Sequence, residues 1–295
     1  MLKSTIGLVV ALLCCASAYA QQTPRGQAGG LREIIPGHYM FNSGDLNSGI
    51  IVTSEGVVVF DALDSEAVAR TQREAIANTI RQPVRFLVSS PYHNPFSKGN
   101  VSYADAWKIG HENYRTDLVR QMERDKASPE EQKARLPNQT FRDRVTLYLG
   151  GKEIQVLYLG RAHTRGDSII YVPQDRIVYL SEVFSAGQFL FMNDGYGVDW
   201  LKTVEAAAGL GADIYVPGHS TMPADPRQSR EEFSRYRQML VDVRDSVAQA
   251  VGRGVTEDQA VATIQWPQYE KLRGYDAQRP TVIRRLYRQL TGALP

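Results

Sequence analysis

The 295-residue chain carries 34 Lys plus Arg against 32 Asp plus Glu, for a net charge of +2, with 43% hydrophobic and 22% charged residues. That balance excludes a disordered chain, a collagen and a coiled coil. No basic run stands out and the two signs are interleaved, so a nucleic-acid partner is not expected.

Taken in chain order, residues 1–20 read as an export signal: Lys3, an apolar run over residues 6–15, and the small-x-small pattern Ala18-Tyr19-Ala20. Cleavage is expected before Gln21, with delivery to the periplasm of a bacterium or to the medium. The apolar run is shorter than the ~20 residues a spanning helix needs, so no membrane span is expected after cleavage. Both cysteines, Cys14 and Cys15, fall in this segment. The remaining chain is therefore expected to lack disulfides and thiolate metal ligands. Residues 21–30 are polar and Gly-rich and read as a flexible leader.

A β-rich stretch follows, with β-branched runs at residues 49–53 and 57–61 flanking a Ser-Glu-Gly turn. Residues 65–80 show helical periodicity, 84–88 a short buried strand, and 89–100 a loop of Ser, Pro, Asn and Gly. Residues 111–136 are charged and helix-like, broken at Pro129. Two strands are expected within 141–159 around Gly150-Gly151, two more at 168–171 and 177–180, a helix at 200–210, and a strand at 214–216. The remainder reads as helices. One starts at a capping box of Ser229 with Glu232 and stops near Gly252, a second starts at Thr256 with Gln259, and a last spans 280–290. Two groups of strands, each followed by helices, predict two sheets covered by helices. The expected divisions are residues 31–225 for the sandwich and 226–295 for a helical extension packed on it.

Three of the five histidines, His93, His163 and His219, sit just beyond apolar strands (FLVSS, VLYLG, IYVPG). Loops at one sheet edge carry sites and can bring such residues together. His38 and His111 read as structural or exposed.

Several blocks in order resemble the metallo-β-lactamase superfamily. They are residues 160–167 (GRAHTRGD), 177–182 (IVYLSE), 194–197 (DGYG) and 216–220 (VPGHS), within a match over residues 32–225. The resemblance implies an α/β protein, an αββα four-layer sandwich with a metal site at one edge, and hydrolase activity. The family's first motif, H-x-H-x-D-H, departs here: residues 91–96 read PYHNPF. Pro91, Pro95 and Phe96 stand where a His, an Asp and a His are expected, and Glu182 replaces the bridging Asp. Of the family's ligands, His93 and His163 remain from the first metal's set and His219 from the second's, so two complete sites are excluded.

What remains for a metal is His93, His163, Glu182 and His219, enough for one zinc or other divalent transition ion with an open position. A metal-free site is the equal alternative. Tyr92, His93, His163 and Glu182 are the candidate catalytic residues. Tyr92 would donate a proton or an oxyanion hydrogen bond, and a histidine would serve as general base without metal. Asp167 reads as a brace of the His163 loop. Phe96, Phe184, Phe189 and Tyr196 are the candidate pocket wall. Two readings follow. One is an exported hydrolase of a small ester, lactone, amide or lactam with an at most mononuclear site. The other is a non-catalytic or metal-free member that binds a small ligand.

Overall fold

In the computed structural model, residues 30–220 and 222–294 are described. The expected signal peptide and all but the last residue of the expected leader lie outside them. Gly30, assigned to the leader, instead opens the first strand, β1 (Gly30–Ile35).

Strands β1, β2 (His38–Ser43), β3 (Leu46–Thr53), β4 (Gly56–Phe60), β5 (Val84–Ser89), β6 (Trp107–His111) and β7 (Gln139–Phe141) form one sheet in sequential order. The first four run antiparallel, and the pairs from β4 to β7 are parallel. The second sheet follows the order β12 (Ile214–Val216), β11 (Ile177–Tyr179), β10 (Ile169–Val172), β9 (Lys152–Leu157), β8 (Arg144–Leu149).

The period-2 alternation of strands explains the layering. On β4, Val58 and Phe60 point between the sheets, while Val57 and Val59 point at the outer helix α1 (Glu66–Thr79), which buries Ala69 and Ile76 there. On β11, Ile177 and Tyr179 face the other sheet. Val178 faces the outer helices α5 (Gly197–Gly209), α6 (Ser229–Gly252) and α8 (Tyr275–Leu290). The architecture is the expected αββα sandwich, and the C-terminal helices share one core with the second sheet.

Local readings differ from the sequence analysis at two places, Ser229 and the 89–100 loop. The expected Ser229 capping box does not form: Gln228 is the cap residue, and the Ser229 hydroxyl donates to the Pro226 carbonyl while accepting from the Tyr215 N–H. The loop at 89–100 contains a short helix, α2 (Asn94–Ser97), with Pro95 in its first turn, where a missing N–H costs nothing. The charged segment forms α3 (Glu112–Arg124) and α4 (Pro129–Arg135), with the expected break before Pro129. The Thr256–Gln259 capping box is present, on α7 (Glu257–Thr263).

Among the described residues, no helix is long and apolar enough to cross a membrane.

Candidate functional site

Four loops at one edge of the sandwich meet. His93 follows β5 and caps α2, His163 lies in the loop after β9, Glu182 lies in a 3-10 turn (Ser181–Val183) after β11, and His219 follows β12. The backbone there is tightly constrained. Asp61, Ser181 and Ser220 adopt positive φ of 69°, 47° and 73°, conformations that non-glycine residues hold only when their surroundings fix them. A Cβ on Gly218 would lie 2.4 Å from the Ser181 carbonyl, so only glycine lets the His219 loop approach the Glu182 turn this closely.

Glu182 is the hub. Its Oε2 lies 2.5 Å from His163 Nε2, and its Oε1 bonds His219 Nε2. His163 Nδ1 donates to the Phe191 carbonyl at 3.0 Å, so its Nε2 is the atom facing Glu182 and His93 Nδ1, the latter at 3.0 Å. His93 Nε2 donates to Asp194 at 2.9 Å, which leaves its Nδ1 aimed at His163. His219 Nδ1 donates to Asp45 at 2.9 Å; Asp45 also accepts from Gln188 at 3.1 Å and pairs with Arg273. The result is one continuous run from Asp194 through His93, His163, Glu182, His219 and Asp45 to Arg273.

Burial and charge compete along it. Burial pushes Glu182 up, but the two imidazoles outweigh it and hold the carboxyl well below its usual range. Burial disfavours a charged His219, but Glu182 and Asp45 raise it to about 9. His163 is raised in the same contest, chiefly by Glu182 against burial. Asp194 is lowered to about 2, first by the His93 hydrogen bond. Beneath the site, Asp61 accepts from the Ser90 N–H at 2.9 Å and contacts the Ser181 hydroxyl at 2.5 Å. Full burial raises it to about 8. Asp167, buried as well, accepts from the Thr164 N–H and hydroxyl at 2.7 and 2.5 Å and so braces the His163 loop.

The donor set fits one small cation. The donor atoms of His93, His163 and Glu182 lie within 4.8 Å of one another. Each imidazole has its other nitrogen anchored, by Asp194 or by the Phe191 carbonyl, the arrangement that orients metal-binding histidines. The set does not fit two. His219 reaches the far oxygen of Glu182, and beside it the buried Phe96 ring meets the imidazole edge-on, with centroids 5.4 Å apart. Neither phenyl nor proline offers a ligand atom.

These residues floor a cavity of about 830 Å³. Of the expected pocket wall, Phe189 lines it. Phe96 does not, because it is packed into the core against α1. Phe184 does not, because it packs edge-on against Phe233 and Tyr236 of α6. Tyr196 does not, because its ring lies between the Arg161 and Arg285 guanidinium groups. Tyr92 is set behind His93, and its hydroxyl donates to Asp194 at 3.0 Å rather than into the cavity, with burial raising its pKa. His38 and His111 lie elsewhere, both buried. His38 Nε2 donates to Asp175 at 2.8 Å while Tyr179 bonds its Nδ1, and His111 donates to the Arg142 carbonyl.

Sequence reasoning gave no role to Asp194, Asp45, Gln188 or Arg273. Asp194 opens the DGYG block that carried part of the resemblance. The other contacts join residues 143, 174 and 228 positions apart, and no local spacing signals them.

The chain matches the metallo-beta-lactamase superfamily over residues 44–219. It is 26% identical over 182 residues to the 2,4-dinitroanisole O-demethylase subunit alpha of Nocardioides sp. (strain JS1661), covering 60% of this chain and 52% of that one. The match thus spans about half that relative's length. It is 24% identical over 213 residues to the metallo-beta-lactamase type 2 of Elizabethkingia meningoseptica, covering 69% of this chain and 82% of that one. Its fold is similar to that of the metallo-beta-lactamase from Pontibacter korlensis, with a TM-score of 0.60, 18% identity, and coverage of 72% of this chain and 98% of the other. With the family's match covering more than half of the sequence, the chain belongs to the metallo-beta-lactamase superfamily.

Proposed function

We propose that the protein is a hydrolase of small esters, lactones, amides or lactams, with a single metal position formed by His93, His163 and Glu182. The observation that carries this reading is the convergence of three donor atoms within 4.8 Å at the floor of an open cavity. A zinc or similar ion there would act as a Lewis acid toward the substrate's carbonyl oxygen. The chain's own residues do the rest. Asp194 orients His93, the Phe191 carbonyl orients His163, and Phe96 closes the neighbouring position to a second ion. Asp194 also brings an ionised carboxylate to the cavity wall from a different loop than Pro95, which lacks the carboxylate the family's motif has there.

A second reading rests on the same run of contacts. The imidazoles and carboxylates already satisfy one another, which supports a metal-free site that binds a small ligand, or uses a histidine as base. Bound metal decides between them. The full chain, purified without chelators beside His163→Ala, is expected to hold about one transition ion per chain, lost in the variant. No metal in either protein after incubation with excess zinc would overturn the mononuclear reading. The amino-terminal pattern around Ala18-Tyr19-Ala20 supports export to the periplasm or medium.

A further inference from the structure

The two acceptors that orient the metal-site imidazoles come from one short loop. The Phe191 carbonyl accepts from His163 Nδ1 at 3.0 Å. The Asp194 carboxylate accepts from His93 Nε2 at 2.9 Å and from the Tyr92 hydroxyl at 3.0 Å. Residues 184–196, between the Ser181–Val183 turn and α5, form neither helix nor strand. No ladder of backbone hydrogen bonds fixes this loop, so contacts from other elements must.

Helix α8 supplies them. Arg285 Nε and one terminal nitrogen both donate to the Gly195 carbonyl, at 2.9 and 2.7 Å. The same guanidinium lies 5.6 Å from the centre of the Tyr196 ring. One turn on, Gln289 accepts from the Val198 N–H at 2.9 Å. Leu286 approaches so closely that a Cβ on Gly197 would lie 2.5 Å from its Cδ2. Among the described residues, no carboxylate forms an ion pair with Arg285, whereas Arg284 and Arg288 on the same helix both pair with Glu257. A half-buried guanidinium spent on a backbone carbonyl forgoes the stronger carboxylate partner. The carbonyl it takes belongs to the residue next to Asp194.

We infer that Arg285 is a positioning residue for the metal site. Its two-pronged grip on Gly195 fixes the loop whose acceptors aim both imidazoles, so the C-terminal helix sets how tightly the site holds its ion. The inference rests on the mononuclear reading for the ion, and not for the orientation of the rings. The groups that orient metal-binding imidazoles contribute about 10–100-fold to affinity. Arg285 touches neither imidazole, so its share is the part that the order of the loop supplies.

Two measurements on the full chain test this: zinc affinity by competition with a chromogenic chelator, and ring-nitrogen NMR shifts of the histidines in the ion-free chain. Arg285→Ala is expected to weaken zinc binding roughly tenfold. Arg285→Lys keeps the charge and a donor without the planar fork, and is expected to lose about threefold. It carries the test if the alanine variant does not fold. Arg288→Ala, on the same helix but bonded to Glu257, is expected to stay within about twofold of wild type. The ring-nitrogen signals of His93 and His163 should move in both Arg285 variants, while those of His38 and His111 hold. Unchanged zinc affinity in the Arg285 variants would overturn the inference, and so would His93 and His163 signals that stay in place. Equal losses from Arg285→Ala and Arg288→Ala would also overturn it, because they would mark a general loosening of α8. If the wild type binds no zinc while its His93 and His163 signals still move only in the Arg285 variants, the mononuclear reading falls and the positioning role stands.

Discussion

The two oxygens of Glu182 look onto different worlds. Oε2 meets His163, and through it His93, with donors converging at the floor of an open cavity. Oε1 meets His219, which is held by Asp45 and flanked by the Phe96 ring. The motif H-x-H-x-D-H that residues 91–96 resemble would supply ligands on both sides. Here three donor atoms lie together on one side, and on the other a phenyl ring and an ion pair have taken the space. Loss of ligands from one motif therefore leaves an asymmetric site, and Glu182 becomes the buried anion that both halves need.

The largest effect is expected from removing that shared anion. Glu182→Ala leaves the buried His163 without its counter-charge and His219 with Asp45 alone, and breaking a buried pair in this way costs about 3–5 kcal/mol. Urea unfolding measures it. A cost under about 1 kcal/mol would mean the two halves do not depend on Glu182. The asymmetry itself is tested by single deletions: His163→Ala should abolish metal uptake, and His219→Ala should leave most of it. The reverse result would place the coordinating side at His219 and break the comparison.

A reconstruction sharpens it from the other direction. Pro95→Asp with Phe96→His returns two donors to the His219 side. Metal per chain is expected to rise from about one toward two, measured by mass spectrometry, at a cost of about 3 kcal/mol for replacing a fully buried phenyl ring. An unchanged metal count would show that more than those two side chains closes the second position.

How much of this asymmetry is legible in the sequence depends on whether a contact is local. PYHNPF shows directly which ligands are missing, because the identity of a side chain decides whether it has a donor atom. The sandwich is legible from β-branched runs and from the order of the blocks. The aromatic wall is not. Phe96, Phe184 and Tyr196 lie near the site in sequence, yet each is turned away by packing against α1, against α6, or between two arginines. Tyr92 fails for the same reason, its hydroxyl being used by Asp194. The Ser229 box fails because a distant donor, the Tyr215 N–H, takes the hydroxyl oxygen that a cap would offer to the helix. Asp45 and Arg273 come from opposite ends of the fold and carry no motif.

Both halves rest on Asp61, which holds the Ser181 hydroxyl just before Glu182. Its folded pKa of about 8 lies above the ordinary carboxyl value of 3.8. Between those values the folded chain keeps a proton that the unfolded chain has lost. Stability from this group is therefore fullest below the unfolded pKa and falls as pH rises, by at most ~1.4 kcal/mol per unit. Asp61→Asn would accept from the Ser90 N–H and donate to Ser181 without titrating. The wild-type stability minus that of the variant should fall from pH 5 to pH 7. That window lies above the range where Glu182 and Asp194 titrate, their folded values being lowered. A flat difference would mean that Asp61 is ionised in the folded protein.

The smallest effect is expected at Arg273, and it separates two explanations for the His219 side. The Arg273 side chain is 39% exposed, and pairs of that kind contribute about 0–1 kcal/mol and weaken with salt. Asp45 keeps Gln188 and His219 when the guanidinium is gone, and the backbone bond from Phe189 to the Arg273 carbonyl stays. Arg273→Ala should therefore cost about 1 kcal/mol or less, vanishing near 1 M salt, with metal content unchanged. Asp45→Asn should cost more, because it removes the charge facing a His219 whose pKa is raised to about 9. If Arg273→Ala proves as costly as Asp45→Asn, the C-terminal extension holds the His219 side in place through this arginine, rather than resting against a post already fixed by Asp45 and Phe96.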